Sequence, residues 1–179
     1  MGRIVRSEYP YHIANSRHYL GRLVGVSDWF RIDQAQIDAF ARTTHDSNRL
    51  HVDSEWSRKH GPYGAPVAHG FLTLSLLTHL SLSAQLMPEG VDYGINLGFE
   101  RVRFLAPVPA DTHIRMKAIL LECEARGQGR WTYKSRCNIE VRETEKVALS
   151  AIWQVLFVSA REASESDALL EDTVAQQRA

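Results

Sequence analysis

Residues 131–142 alternate without a break. Trp131, Tyr133, Ser135, Cys137, Ile139 and Val141 fall on one side, and Thr132, Lys134, Arg136, Asn138, Glu140 and Arg142 on the other. A period of two sustained this long puts every second side chain on one face, so the segment is a strand with one buried and one wet face. Gly127 and Gly129 supply a turn before it, and residues 143–145 a turn after it. In 147–158, Val147, Leu149, Ala151, Trp153, Val155 and Phe157 oppose a face that includes Ile152, Leu156 and Val158. Both faces are apolar, so this strand belongs at the centre of a sheet or at a contact between subunits. Segments 98–105 and 113–123 read as two further strands. An antiparallel sheet therefore fills the second half of the chain.

The first half reads differently. Residues 21–32 form a short strand or extended entry. Asp33 and Gln36 stand at the two key positions of a capping box, and Ile37, Phe40 and Ala41 follow at helical spacing, which predicts a helix from Gln34 to about Thr43. A polar loop (His45, Asp46, Ser47, Asn48, Arg49) comes next. Asp53 can cap a second short helix through Trp56, ended by Gly61-Pro62-Tyr63-Gly64. Gly70 opens a helix over 71–87, apolar almost all round and terminated by Pro88 and Gly90. A helix of that kind is expected to be enclosed by protein. The order of elements predicts an α+β chain with a sheet wrapped on one central helix.

Length allows one domain over residues 1–160 and a polar tail over 161–179 that is frayed or without fixed structure. Lys+Arg and Asp+Glu both number 21, and the basic residues are scattered, so the excess positive charge that nucleic-acid binding calls for is absent. Near neutrality also permits self-association, and with the two-faced strand 147–158 it predicts a homodimer. The N-terminal MGRIVRSEYPYH has no apolar core of a signal peptide, and 71–87 is too short and too interrupted by Thr, Ser and His to span a bilayer. Cys123 and Cys137 form no C-x-x-C pair and read as free thiols, which fits a reducing cytoplasm and no membrane association.

The richest chemistry lies in Asp46-Ser47-Asn48-Arg49-Leu50-His51 and, 19 residues on from His51, Gly70. A carboxylate and an imidazole five apart across a loop can converge on one water, the imidazole taking a proton and the carboxylate holding the water or the ring. Asn48 can brace the loop through backbone bonds. Gly70 begins a helix, whose leading N–H groups favour a developing negative charge. Spacing alone leaves a simple turn role for Asp46 open. A metal site from Asp46, His51 and Asp53 lacks an H-E-x-x-H or Cys/His cluster to support it. His69 can shape the turn before Gly70 through backbone bonds, and His79 reads as a core residue.

The run D-x-N-x-L-H, then Val52-Asp53, then P-V-A-H-G-F with an apolar helix behind it, resembles the MaoC-type dehydratases, also called (R)-specific enoyl-CoA hydratases. Arg101-Val102-Arg103-Phe104-Leu105-Ala106-Pro107-Val108 resembles the family's strand after that helix, and is nearest its NodN-like branch. The resemblance covers most of residues 20–158. It implies a hot-dog fold, normally dimeric, and reversible hydration of a trans-2-enoyl thioester of CoA or acyl-carrier protein to an (R)-3-hydroxyacyl thioester. It places the catalytic Asp and His on Asp46 and His51, the oxyanion-hole glycine on Gly70, and a hydroxyl position in the helix on Thr78. Asn48, Arg49, His69 and Thr78 are the expected substrate-binding residues, and no metal or redox cofactor is implied. The family pattern usually has Pro where this chain has Arg49. That cation can act on Asp46, meet a substrate phosphate, or point to solvent. Hot-dog thioesterases commonly carry Asp or Glu on the central helix, and 71–87 has neither. A non-catalytic acyl-thioester-binding subunit is the alternative from a different class.

Overall fold

The computed structural model describes residues 11–159; the expected tail lies outside them. A 3-10 helix, Ile13–Tyr19, comes first, followed by strands β1 (Leu23–Val26) and β2 (Phe30–Ile32). Both pair antiparallel with one long later strand, so the extended entry is split in two. The predicted capping box forms at helix α1 (Gln34–Thr44): Gln36 N donates to Asp33 Oδ1 at 2.9 Å and Asp33 N to Gln36 Oε1 at 3.0 Å. The loop after α1 is shorter than expected. Asn48 caps a one-turn helix, α2 (Arg49–Val52), by accepting from Leu50 N at 3.0 Å. Asp53 then caps α3 (Ser54–His60), accepting from Trp56 N at 2.8 Å. Gly61 ends α3 as expected, because a Cβ there would lie 2.5 Å from Ser57 O.

Helix α4 spans Gly70–Ser83, four residues short of the expected end. Gln85 takes a left-handed conformation (φ 49°), its N–H bonds to Leu82 O at 3.1 Å, and Leu86 N bonds to Ser81 O at 3.1 Å. This pair of bonds is the Schellman closure, formed here without glycine, so the helix stops before Pro88. Nor is α4 enclosed within the chain. Leu72, Leu77 and Leu80 are buried, while Phe71, Ser75, Thr78 and Leu82 lie along an exposed stripe.

Four long strands follow: β3 (Tyr93–Phe104), β4 (Thr112–Gly127), β5 (Arg130–Val141) and β6 (Lys146–Val158). The antiparallel sheet runs β1-β4-β5-β6-β3, with β2 also on β4. Its inner face is the alternating set read from the sequence: Tyr133, Cys137, Ile139 and Val141 of β5 with Leu149, Ala151 and Trp153 of β6 pack with Ile114, Met116, Ala118 and Leu120 of β4 against the buried side of α4. Burial pushes the Cys137 thiol up to about 12. Both cysteines are free thiols.

Strand β6 is central, between β5 and β3, as one of its two readings required. Exposed large apolar side chains cluster instead on edge strand β3 (Tyr93, Ile95, Leu97, Phe104) and on α4 (Phe71, Leu82), with others elsewhere, such as Tyr63 and Met87. Strand β3 begins five residues before its expected start, because its first turns face outward and give no buried alternation. Ala148 is an extra residue opposite β5, where pairing shifts between Ile139 and Glu140. Among the described residues, no helix is long and apolar enough to cross a membrane.

Candidate active site

The loop after α1 brings Asp46 near His51, and helix α2, the segment before α4 and the end of β3 meet at one cleft. Its cavity of about 270 Å³ is lined by His51, Val67, Gly70, Thr73, Phe104, Val108 and Ala148, among others. The bulge at Ala148 helps build it, since the Ala148 carbonyl accepts from both Leu105 N (2.8 Å) and Ala106 N (3.4 Å) and ties down the segment after β3.

His51 projects from α2 into the cleft. Its Nδ1 lies 2.7 Å from Val67 O. A carbonyl oxygen only accepts, so Nδ1 carries a proton, and in the neutral ring the lone pair is on Nε2. The main chain is fixed as well: Gln34 Nε2 donates to His51 O at 2.8 Å, and Val67 N to Leu50 O at 3.2 Å. The ring is thus oriented by a main-chain carbonyl, and the main chain that carries it by the Gln34 side chain.

Asp46 lies on the loop before α2, its carboxylate about half exposed. Its Oδ1 accepts from Asn48 N at 3.4 Å, a long and weak bond. One ligand-capable side-chain atom from each of Asp46, His51 and His69 lies within 4.8 Å of the other two. A separation of that size lets one water touch both the carboxylate and the imidazole.

Gly70 is the first residue of α4 and lines the cleft. The N-cap, His69, makes no side-chain cap bond to the helix. The leading N–H groups of α4 are therefore left without the side-chain acceptor that most helices provide. Phe104 covers the other side of this glycine, its ring 2.9–3.1 Å from where a Cβ would stand.

The remaining expected residues are placed otherwise. Asn48 spends its side-chain oxygen on capping α2. Arg49 turns to Asp53, with Nη2 and Nε at 3.1 and 3.2 Å, and stacks over Trp56 at 5.1 Å; its charge is partnered there and not by Asp46. His69 is 3% exposed and sits behind His51 instead of lining the cavity. Thr78 is exposed on the outer stripe of α4 and stays outside the cleft of its own chain. Eight residues after Gly70 it lies about 12 Å farther along the helix, whereas Thr73, three residues on, is only about 4.5 Å along it and lines the cleft. Thr73 is a hydroxyl of the cleft lining that the sequence reading did not name. It is buried and donates to His69 O at 3.3 Å. Its i+3 relation to Gly70 was the available signal.

The metal set weighed from sequence does not assemble, because Asp53 is occupied by Trp56 N and Arg49. Asp46, His51 and His69 do offer two imidazoles and a carboxylate. In both rings one nitrogen is already spent on a main-chain carbonyl, Val67 O and Asp46 O.

Comparison with known proteins identifies the family and the fold. A family model described as "MaoC like domain" matches residues 15–141. Nodulation protein N of Rhizobium leguminosarum bv. viciae is 37% identical over 134 residues, covering 75% of this chain and 83% of that protein. The 3-hydroxyacyl-thioester dehydratase Z of Mycobacterium tuberculosis (strain ATCC 25618 / H37Rv) is 37% identical over 139 residues, covering 78% and 91%. Among solved structures, the (R)-hydratase from A. caviae involved in PHA biosynthesis superposes with a TM-score of 0.59 at 25% identity, over 74% of this chain and 94% of that one. A sheet wrapped on α4, the cleft at its N-terminus and these relationships together make the chain a member of the MaoC-like dehydratase family, built on the hot-dog fold.

Proposed function

We propose that this hydratase/dehydratase reversibly adds water to a trans-2-enoyl thioester, giving an (R)-3-hydroxyacyl thioester. The observation that carries the reading is the 2.7 Å contact of His51 Nδ1 with Val67 O. With Nδ1 held by Val67 O, Nε2 is the base of the neutral ring; His51 lines a cavity with Gly70, and Asp46 is its neighbour. Water sits between Asp46 and His51. Its oxygen bonds to C3 as His51 Nε2 takes one proton, and the C2–C3 π pair moves to the thioester oxygen. That oxygen gathers charge against the N–H of Gly70, where the open helix end favours it. The Asp46–His51 pair returns a proton to C2, so the net change is addition of H and OH.

The carrier is CoA or acyl-carrier protein. As written the reaction uses no metal, and dialysis against a chelator is expected to leave turnover unchanged. The working unit is a homodimer formed over edge strand β3 and the outer stripe of α4, which hold the exposed Tyr93, Ile95, Leu97, Phe71 and Leu82. Leu97→Lys should then halve the mass read by light scattering. The two free thiols fit a cytoplasmic setting.

The test is loss of enoyl absorbance with crotonyl thioester. Loss without release of free thiol supports the hydratase, and release of thiol means a thioesterase. Binding with neither change means a non-catalytic subunit.

A further inference from the structure

Behind the two reacting groups stands a third that is not part of the cleft lining. His69 is 3% exposed. Its Nε2 lies 3.0 Å from Asp46 O, so that nitrogen donates and pins the main chain of the loop. Its ring stacks on His51, with centroids 3.8 Å apart and planes 28° apart, and Phe40 backs it at 5.1 Å. Its own carbonyl accepts from Thr73 N at 3.1 Å inside the first turn of α4. Its Nδ1 is buried and has no partner among the described residues. A histidine used only to shape a turn needs neither the stack nor the reach of 23 residues back to Asp46.

We propose that His69 is a positioning residue that fixes three separate parts of the site at once: the Asp46 loop by its hydrogen bond, the His51 ring by its stack, and the start of α4 by its main chain. The proposal rests on the hydratase reading. It divides His69 into two separable parts, a donor and a flat ring. His69→Phe keeps the ring and loses the donor. His69→Gln keeps a donor of similar reach and loses the ring. An error of about 1 Å in a reacting group costs on the order of 100-fold in rate. His69→Phe is therefore expected to lower kcat by roughly 10- to 100-fold, with KM within about threefold, because His69 meets no substrate. His69→Gln should recover part of that loss.

The second readout is free of activity. In amide 1H–15N spectra, His69→Phe should shift and broaden Asp46, Ser47 and Asn48, while the distant β4–β5 hairpin stays put. His69→Gln should perturb these amides less. Loop broadening together with a kcat loss at unchanged KM and near-normal melting temperature supports the proposal. A normal kcat, or a kcat loss with the loop amides unmoved, overturns it. A loss that only follows the folded fraction overturns it too, and if His69→Phe fails to fold, His69→Gln with intact ring-free turnover does the same. A wild-type protein inert toward every enoyl thioester overturns the hydratase reading instead; the loop spectra then still decide whether His69 positions Asp46.

Discussion

The ring of Phe104 rests on the α-carbon of Gly70, 2.9 Å from the place a Cβ would take. A methyl group there must displace the ring or the helix end. Phe104 is 49% exposed and its ring tip can yield, so the fold should survive. Gly70→Ala keeps the N–H but moves it, and kcat/KM should fall roughly 10- to 100-fold with little change in melting temperature. Phe104→Leu in the same chain makes room. The double variant should be more active than Gly70→Ala alone, and a thermodynamic cycle on the four proteins reads that coupling.

His51 and Asp46 act on one water in the proposed reaction. His51→Ala should lower kcat by roughly 10²- to 10⁴-fold. Asp46→Asn preserves the turn, so a comparable loss marks a carboxylate that handles a proton. The double variant should lose far less than the product of the single losses. Near-normal turnover in a folded His51→Ala protein would remove the base from the mechanism.

Arg49 occupies the first position of α2, directly after its cap Asn48. Proline is well suited to that position, because its fixed φ matches the helix and its missing N–H has no partner to lose. Arg49→Pro should keep kcat within about threefold. It removes the exposed contacts to Asp53 and Trp56, which contribute little in water. Steady-state kinetics on the variant decide this, and a folded but inactive protein would show that the cation is required.

The Trp56 amide, and then the Arg49 guanidinium, hold the Asp53 carboxyl below its ordinary value of 3.8. A depressed folded value means that stability is present above the unfolded value and is lost as pH falls through the folded one. Wild type should therefore lose melting temperature as the pH drops below about 4. Asp53→Asn can still cap α3 and cannot titrate. The gap between the two proteins should be widest near pH 6 and narrow on acidification. A gap that does not change with pH would detach Asp53 from the acid response.

Local signals were the legible ones. The alternation of 131–142 gave β5 and its buried face, and Asp33 with Gln36 gave the start of α1, since both patterns are decided within a few residues. Asp46, His51 and Gly70 were legible through their spacing and the family resemblance; the fold puts His51 and Gly70 on one cleft and Asp46 near His51. What escaped was set by long-range packing or by backbone without a residue signature. The end of α4 depends on Gln85 adopting a conformation usually left to glycine. The early part of β3 shows no core alternation because its apolar residues face outward. The place of His69 behind His51 depends on a contact with Asp46 that no periodicity encodes.

An uncapped helix is a weaker helix. Asn, Asp or Ser at position 69 would bond to the first amides of α4 and stabilise it by about 1 kcal/mol on the usual scale. The sequence forgoes that gain. A thioester oxygen bound as proposed would serve as the missing cap, supplied by another molecule, so folding and substrate binding would draw on the same N–H groups. Stability and turnover then oppose each other at this one position: a change that completes the helix within the chain closes the place where the substrate completes it.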